Sequence, residues 1–338
     1  MTHRLSRRSL LATLPLLAMA SRAQAQGAAH AGVISAPSRS DWAPERAVRI
    51  IIPVAPGGSL DILGRTIARA LSPVLGQPVV AENHAGAGSN LAFEMTARAR
   101  PDGLTLLVGS DPLTINPGLY PRVGYDPVRD FAPIIEMVRA PQVLVVNPAS
   151  PVRDLAGFVA AARAAEGGAK GATTLASQGN GSIGHLAGAL FARERGLSFT
   201  HVPYRGGGPA VLDVVAGHVD ALFVTLPAAI EHIRGGRLRA LAVTSAAPSP
   251  ALPGVPSIED FDVVTWQGLL APAGTPAAII QRIAEETGRA LRAPALRDNF
   301  TNQGFLVTGT GPEAFASHIR AEAERWPALV RAVGARVE

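Results

Sequence analysis

Thr173-Thr174-Leu175-Ala176-Ser177-Gln178-Gly179-Asn180-Gly181-Ser182-Ile183-Gly184-His185 reads as a short strand, a glycine-rich turn and the opening of a helix. Ser182 stands where an N-cap belongs, and Ile183, Leu186, Leu190 and Phe191 follow at the spacing of one apolar helix face. A turn of this kind points backbone N–H groups at one spot, at the positive end of a helix dipole. It is suited to holding an anion.

The same unit recurs outward from that stretch. Val48–Pro53 is an apolar, β-branched run, followed by Ala55-Pro56-Gly57-Gly58-Ser59 and a helix with Leu60, Leu63, Ile67, Leu71 and Val74 on one face. Val79–Glu82 leads through Asn83-His84-Ala85-Gly86-Ala87-Gly88-Ser89 into a helix reaching Met95. Thr105–Val108 leads into Gly109-Ser110-Asp111-Pro112. Ile134–Val146 is extended, and a helix over Val152–Ala165 precedes the opening stretch. Beyond it, Phe199–Pro203 meets Tyr204-Arg205-Gly206-Gly207-Gly208-Pro209 and a helix ending near Gly217. Ala221–Val224 meets Thr225-Leu226-Pro227 and another helix, and Leu238–Thr244 is a further strand. Strands alternating with helices imply parallel βαβ units with right-handed crossovers. Their number suits two doubly wound α/β domains, with the glycine turns beyond the strand ends, where such sheets bind ligands.

The C-terminal part reads differently. Val263–Ala271 is strand-like and holds Trp266. Thr275 is the expected N-cap, with Pro276 at the first position, of a helix carrying Ile279, Ile280, Ile283 and Leu291. A final helix from about Pro312 carries Phe315, Ile319, Trp326, Leu329 and Val330, and Pro327 is expected to kink or break it.

The N-terminus has a basic start, an apolar run over Leu10–Ala20 and an A-x-A site at Ala23-Gln24-Ala25, which together read as a secretory signal over 1–25. Ser6-Arg7-Arg8-Ser9-Leu10-Leu11 also resembles a twin-arginine signal, the alternative being an ordinary basic n-region. Residues 26–45 read as a disordered leader of Ala, Gly, Ser and Pro. The export reading also explains the net charge of +5 over 338 residues. Arg4, Arg7, Arg8 and Arg22 lie in the signal, and subtracting these four leaves +1 for the body. A nearly neutral body argues against nucleic acid as a partner. The chain has no cysteine, which excludes thiol catalysis, disulfides and cysteine metal sites. No later run is apolar enough for a membrane span.

Gly179-Asn180-Gly181-Ser182-Ile183-Gly184 is literally G-x-G-x-x-G, a dinucleotide fingerprint. The acid that should follow about 20 residues on is absent at Thr200–Arg205. Arg205 keeps open an NADP-dependent oxidoreductase as the alternative function. Asn180–Gly184 also misses the G-x-S-x-G elbow by one residue, so Ser182 reads as a cap in preference to a nucleophile. His185 faces back toward the turn, either to bond a ligand or to cap a local network. The eight histidines form no zinc motif, and no phosphate-binding P-loop is present. Asp61, Asp111, Asp213 and Asp220 are scattered and read as caps or solvated turn residues. Anion-cradling turns without a nucleophile, base, metal or cofactor set favour binding over catalysis, with no cofactor expected.

From Val48 onward the sequence resembles the extracytoplasmic solute receptors of tripartite tricarboxylate transporters, the Bug receptors. The resemblance is carried by Ile52-Pro53-Val54-Ala55-Pro56-Gly57-Gly58-Ser59-Leu60-Asp61, Glu82–Gly88, Asn116–Tyr120 with Tyr125–Pro127, Ser177–His185, His201–Gly207, Leu238–Thr244 and Trp266–Pro272. It implies a two-lobed, type II periplasmic-binding-protein fold, lobe 1 being 46–138 with 262–338 and lobe 2 being 139–261. It also implies a monomer that closes on a small carboxylate, a di- or tricarboxylate or an aromatic acid, and passes it to integral membrane transporter subunits. Carried over residue by residue, the ligand contacts are Val54, Ala55, Gly57, Gly58 and Ser110 in lobe 1. In lobe 2 they are Ser177, Gly179, Asn180, Gly181, Ser182, Tyr204 and Thr225. Val54 replaces an aromatic residue common in the first loop. Val224 lies where relatives often carry Asp, and losing that acid is expected to disfavour ligands with an ammonium group.

Overall fold

The computed structural model describes residues 42–57, 59–166 and 171–337. The expected signal, most of the leader, Gly58 and Lys170 lie outside the described residues. The chain begins with β1 (Val48–Ile52), buried except at Arg49, and α1 (Ser59–Leu75), whose Leu63, Ile67 and Leu71 face the core as their spacing requires. β2 (Val79–Asn83) and β3 (Thr105–Ser110) flank β1 in parallel register, with α2 (Asn90–Ala97) between them in sequence. α3 (Pro112–Leu119) follows β3 directly.

Next comes β4 (Phe131–Val146), a strand of 16 residues with two sets of neighbours. A second series follows: α4 (Leu155–Ala165), β5 (Thr174–Ser177), α5 (Ile183–Arg195), β6 (Thr200–Pro203), α6 (Gly207–Ala216), β7 (Ala221–Thr225), α7 (Leu226–Arg234) and β8 (Arg239–Val243). The chain returns through β9 (Val264–Pro272), α8 (Ala277–Arg292), α9 (Pro294–Asn302), β10 (Leu306–Thr310) and α10 (Pro312–Val333).

These ten strands make a sheet ordered β2-β1-β3-β9-β4-β7-β5-β6, with β8 and β10 also on β4. β5 lies between β6 and β7 in parallel, as β1 lies between β2 and β3. All pairings of β4 are antiparallel, so the sheet is mixed and the parallel units implied by the alternation fill only its two ends. Along β4, Phe131–Pro141 pair with β9 while Gln142–Val146 pair with β7, and β10 and β8 take the opposite edges. The chain therefore passes from one half of the molecule to the other inside a strand. At the changeover Gln142 N–H donates to Thr244 Oγ1 (2.8 Å), and the Thr244 hydroxyl reaches Val263 O (2.5 Å), tying the outward and return passages together.

Each half has its own packed layers. Ile50, Ile52, Leu106 and Val108 pack against α1 and α8, and Ile51, Leu107 and Trp266 against α2 and α10. In the second half Leu175, Phe191 and Phe223 form one cluster and Val143, Val211 and Leu222 another. The first of these also takes in Ile115 and Leu119 of α3 and Trp326, Leu329 and Val330 of α10. Two local expectations are corrected. α10 runs unbroken through Pro327, whose loss of one hydrogen bond is offset by burial of Trp326, Pro327 and Val330. Thr275 does not cap α8, because its hydroxyl donates instead to Pro272 O (2.7 Å) and Pro276 takes the cap position.

Candidate ligand-binding site

Four helices begin at one cavity of about 420 Å³. Ser59 and Leu60 open α1, Asp111 and Pro112 open α3, Ser182 and Ile183 open α5, and Thr225 and Pro227 open α7. The first N–H groups of a helix have no intrahelical acceptor, so the wall facing the cavity from both halves carries partial positive charge. Among the described residues, no lysine, arginine or histidine lines it. Val54, Ile115, Ile183 and Phe305 supply apolar wall.

The α5 turn is held from behind. Ser182 caps the helix by accepting from His185 N–H (3.3 Å) and donates to Gly179 O (2.7 Å). His185 Nδ1 accepts from Gly181 N–H (3.1 Å), and its ring stacks on His201 with centroids 3.9 Å apart. His201 Nε2 in turn meets Ser177 Oγ (2.7 Å). Burial, with a further contribution from His201, pushes His185 down to about 4, and burial also lowers His201. Both rings are thus neutral near pH 7, which leaves Nδ1 of His185 free to accept. His185 caps a local network; it does not line the cavity. Because Gly181 N–H serves His185 and Ser182 N–H serves Gly179 O, the donors left at this helix end are those of Ile183 and Gly184.

The first loop is held by Asp61, read from sequence as a cap or turn residue. Its carboxylate accepts from Gly57 N–H (2.9 Å), Arg65 Nε (2.9 Å) and Asn83 Nδ2 (2.8 Å), and Asn83 Nδ2 also donates to Val54 O (2.9 Å). Burial raises the Asp61 pKa, but these hydrogen bonds outweigh it and hold the carboxyl below its ordinary value.

Of the twelve positions expected from the resemblance, Val54, Ser110, Gly181, Ser182 and Thr225 line the cavity. Ala55 and Gly57 are exposed beside Val54, and Gly58 lies outside the described residues. Ser177 is buried behind the turn on His201, and Gly179 supplies the carbonyl that Ser182 bonds. Asn180 is exposed. Tyr204 donates to Asp213 (2.6 Å), which pushes the phenol up to about 12 after the effect of burial, and it stands away from the cavity.

The lining also includes Ser59, Asp111, Gln178, Thr265 and Gln267, which sequence reading did not select. Gln178 lies inside the opening stretch, and its Nε2 donates to Thr225 Oγ1 (3.3 Å). Gln267 donates to Ser59 Oγ (3.0 Å), joining β9 to the start of α1, while its buried Oε1 has no partner. Asp111 does not cap α3; it accepts from the Thr265 hydroxyl and from Trp266 N–H (3.3 Å) on β9. Val224, by contrast, is fully buried beside Val143 and does not line the cavity. The acid in the wall is Asp111.

Residues 63–335 match the family model described as tripartite tricarboxylate transporter family receptor. The protein BugT of Bordetella pertussis is 36% identical over 312 residues, 90% of this chain and 94% of that relative. Two solved structures from Rhodopseudomonas palustris superpose closely. Rpa4515, solved with adipate, is 31% identical with a TM-score of 0.77 and covers 88% of this chain and 100% of its own. MatC, solved with bound malate, is 30% identical with a TM-score of 0.72 and covers 85% and 99%. The fold is that of two-lobed periplasmic binding proteins. The chain belongs to the tripartite tricarboxylate transporter receptor family, whose members are periplasmic, bind small carboxylates and work with membrane transporter components.

Proposed function

We propose that this chain captures one small carboxylate in the cavity between its lobes and releases it chemically unchanged to membrane subunits, acting as a monomer and not as an enzyme. The observation that carries this reading is the meeting of four helix N-termini, two from each half, on a cavity that no basic side chain lines among the described residues. Such a wall recognises an anion through backbone dipoles. The contacts we assign are Val54, Ser110, Gly181, Ser182 and Thr225, together with Ser59, Gln178 and Gln267. Gly57, Ser177 and Gly179 keep the loops that bear these contacts in place through their hydrogen bonds.

The lobes are assigned as 46–138 with 262–338 and as 139–261. The change of partners along β4 at Pro141–Gln142 supports a boundary of this kind. Because the ligand meets loops of both halves, it favours the closed arrangement by contacts that only that arrangement completes. Export follows from the signal over 1–25, and Ser6–Leu11 supports the twin-arginine route.

Thermal shift with a panel of mono-, di- and tricarboxylates and aromatic acids, run beside nicotinamide cofactors, tests the function. A receptor is stabilised by one or more acids and by neither cofactor. Stabilisation by NADP alone would restore the oxidoreductase reading of Gly179–Gly184.

A further inference from the structure

Asp111 is 5% exposed and stands at the start of α3 in the cavity wall. Its partners are the Thr265 hydroxyl and Trp266 N–H, and among the described residues no cation pairs with it. The charged groups around it do not replace that cation. On α10, Glu322 acts on it as a like charge while itself accepting from Trp326 Nε1 and lying 3.9 Å from both His318 and Arg325. On β4, Glu136 is paired with Arg139 and His318, and His318 packs on the edge of Trp266. From β3 the neighbour is Ser110, and the cavity residues on α1, α5 and α7 carry no charge. A buried carboxylate without a counter-charge, beside a cavity built for anions, is costly in its ionised form.

Thr265 links this carboxyl to the cavity that it also lines. A hydroxyl has one proton to donate and can accept as well. While Asp111 is ionised, Thr265 must donate to it and offers only lone pairs to a ligand. Once Asp111 is protonated, Asp111 can donate to Thr265, whose own proton is then free to meet an anion.

We propose that Asp111, acting through Thr265, couples capture of the anionic ligand to uptake of one proton from solvent. The proton goes to a carboxylate oxygen of Asp111, and no covalent bond to the ligand forms. Asp111 is on this account a positioning residue that acts through the Thr265 hydroxyl. Protonated, Asp111 presents no like charge to the bound anion, and the proton is taken up whether the ligand carries one carboxylate or more. The burial that raises Asp111 to about 7, with Glu322 adding to it, supports this reading. This inference rests on the receptor function proposed above.

The test is titration calorimetry of the mature full chain with adipate, malate and benzoate, at pH 6 and pH 8, in buffers of different protonation enthalpy. At pH 8 the wild type takes up close to one proton per ligand bound, and affinity falls about tenfold per pH unit above the apo value near 7. At pH 6 the uptake is small. Asp111→Asn loses the uptake, and with it the fall in affinity above about pH 7. Thr265→Ser keeps the coupling and Thr265→Val loses it. Carboxylate binding by the wild type with no proton uptake at pH 8 overturns the inference and leaves the receptor function standing, even if Asp111→Asn fails to fold. Uptake that persists undiminished in Asp111→Asn overturns it equally. No binding by any of the three probes, or by the wider panel, overturns the receptor function and this inference with it.

Discussion

At the scale of single residues, the charged and titratable groups near the cavity act mainly by holding backbone. Asp61 is the clearest example, because one carboxylate fastens Gly57, Asn83 and Arg65 and thereby the loop that carries Val54. Asp61→Ala should cost about 1–3 kcal/mol of stability, from the loss of hydrogen bonds to a charged acceptor. It should also weaken carboxylate binding about tenfold or more through loss of loop geometry. Urea denaturation and calorimetry measure the two effects separately, and unchanged affinity would show that the loop is not part of the site. The paired pH effects have opposite signs. His185 titrates near 4 in the folded protein against an ordinary 6.5, so the unfolded chain takes up the proton first. Its contribution is present above about 6.5 and is lost as pH falls toward 4, at no more than about 1.4 kcal/mol per pH unit. Asp111 titrates near 7 against 3.8, so its contribution is present at low pH and is lost as pH rises through about 7. In melting curves taken across pH 4–8, the difference between Asp111→Asn and wild type should therefore change steadily up to about 7 and then level off. A difference independent of pH would contradict the burial assigned to this carboxyl.

At the scale of elements, the strand–turn–helix unit was readable because its parts are local. The Thr173–His185 stretch becomes β5, its turn and α5, with Ser182 as the cap. Ser182→Ala should lower stability by about 0.5–2 kcal/mol. What escaped reading depends on distant chain. α9 and β10 are short, and β10 is half-exposed, so neither has a strong period to announce it. Gln267, Thr265 and Phe305 reach the cavity from β9 and from just before β10, and no local pattern can place a strand in a sheet. Asp111 looked like a cap because Asp-Pro commonly opens a helix; its true partners lie more than 150 residues away on β9. Two helices are joined in the same nonlocal way. A Cβ added at Gly118 would lie 2.5 Å from Pro327 Cα, so α3 and α10 touch where only glycine allows it. Gly118→Ala should therefore destabilise the protein by about 1–3 kcal/mol in chemical denaturation, since the neighbour is backbone and cannot turn aside. A neutral result would mean that the two helices can separate freely.

At the scale of the whole molecule, β4 and the Thr244 passage connect two halves whose helix N-termini meet across one cavity. A ligand bridging that cavity should draw the halves together, and small-angle scattering should record a smaller radius of gyration with a tightly bound acid than without it. Equal dimensions would mean that the cavity is filled without closure. The most direct check on the central claim is a crystal structure grown with the carboxylate that gives the largest thermal shift. The ligand carboxylate is expected at the start of α5, against the Ile183 and Gly184 N–H groups and the Thr225 hydroxyl, with its body against Ile115 and Phe305. Ligand found behind the turn, in the space lined by His185 and His201, or nowhere between the four helix N-termini, would contradict it.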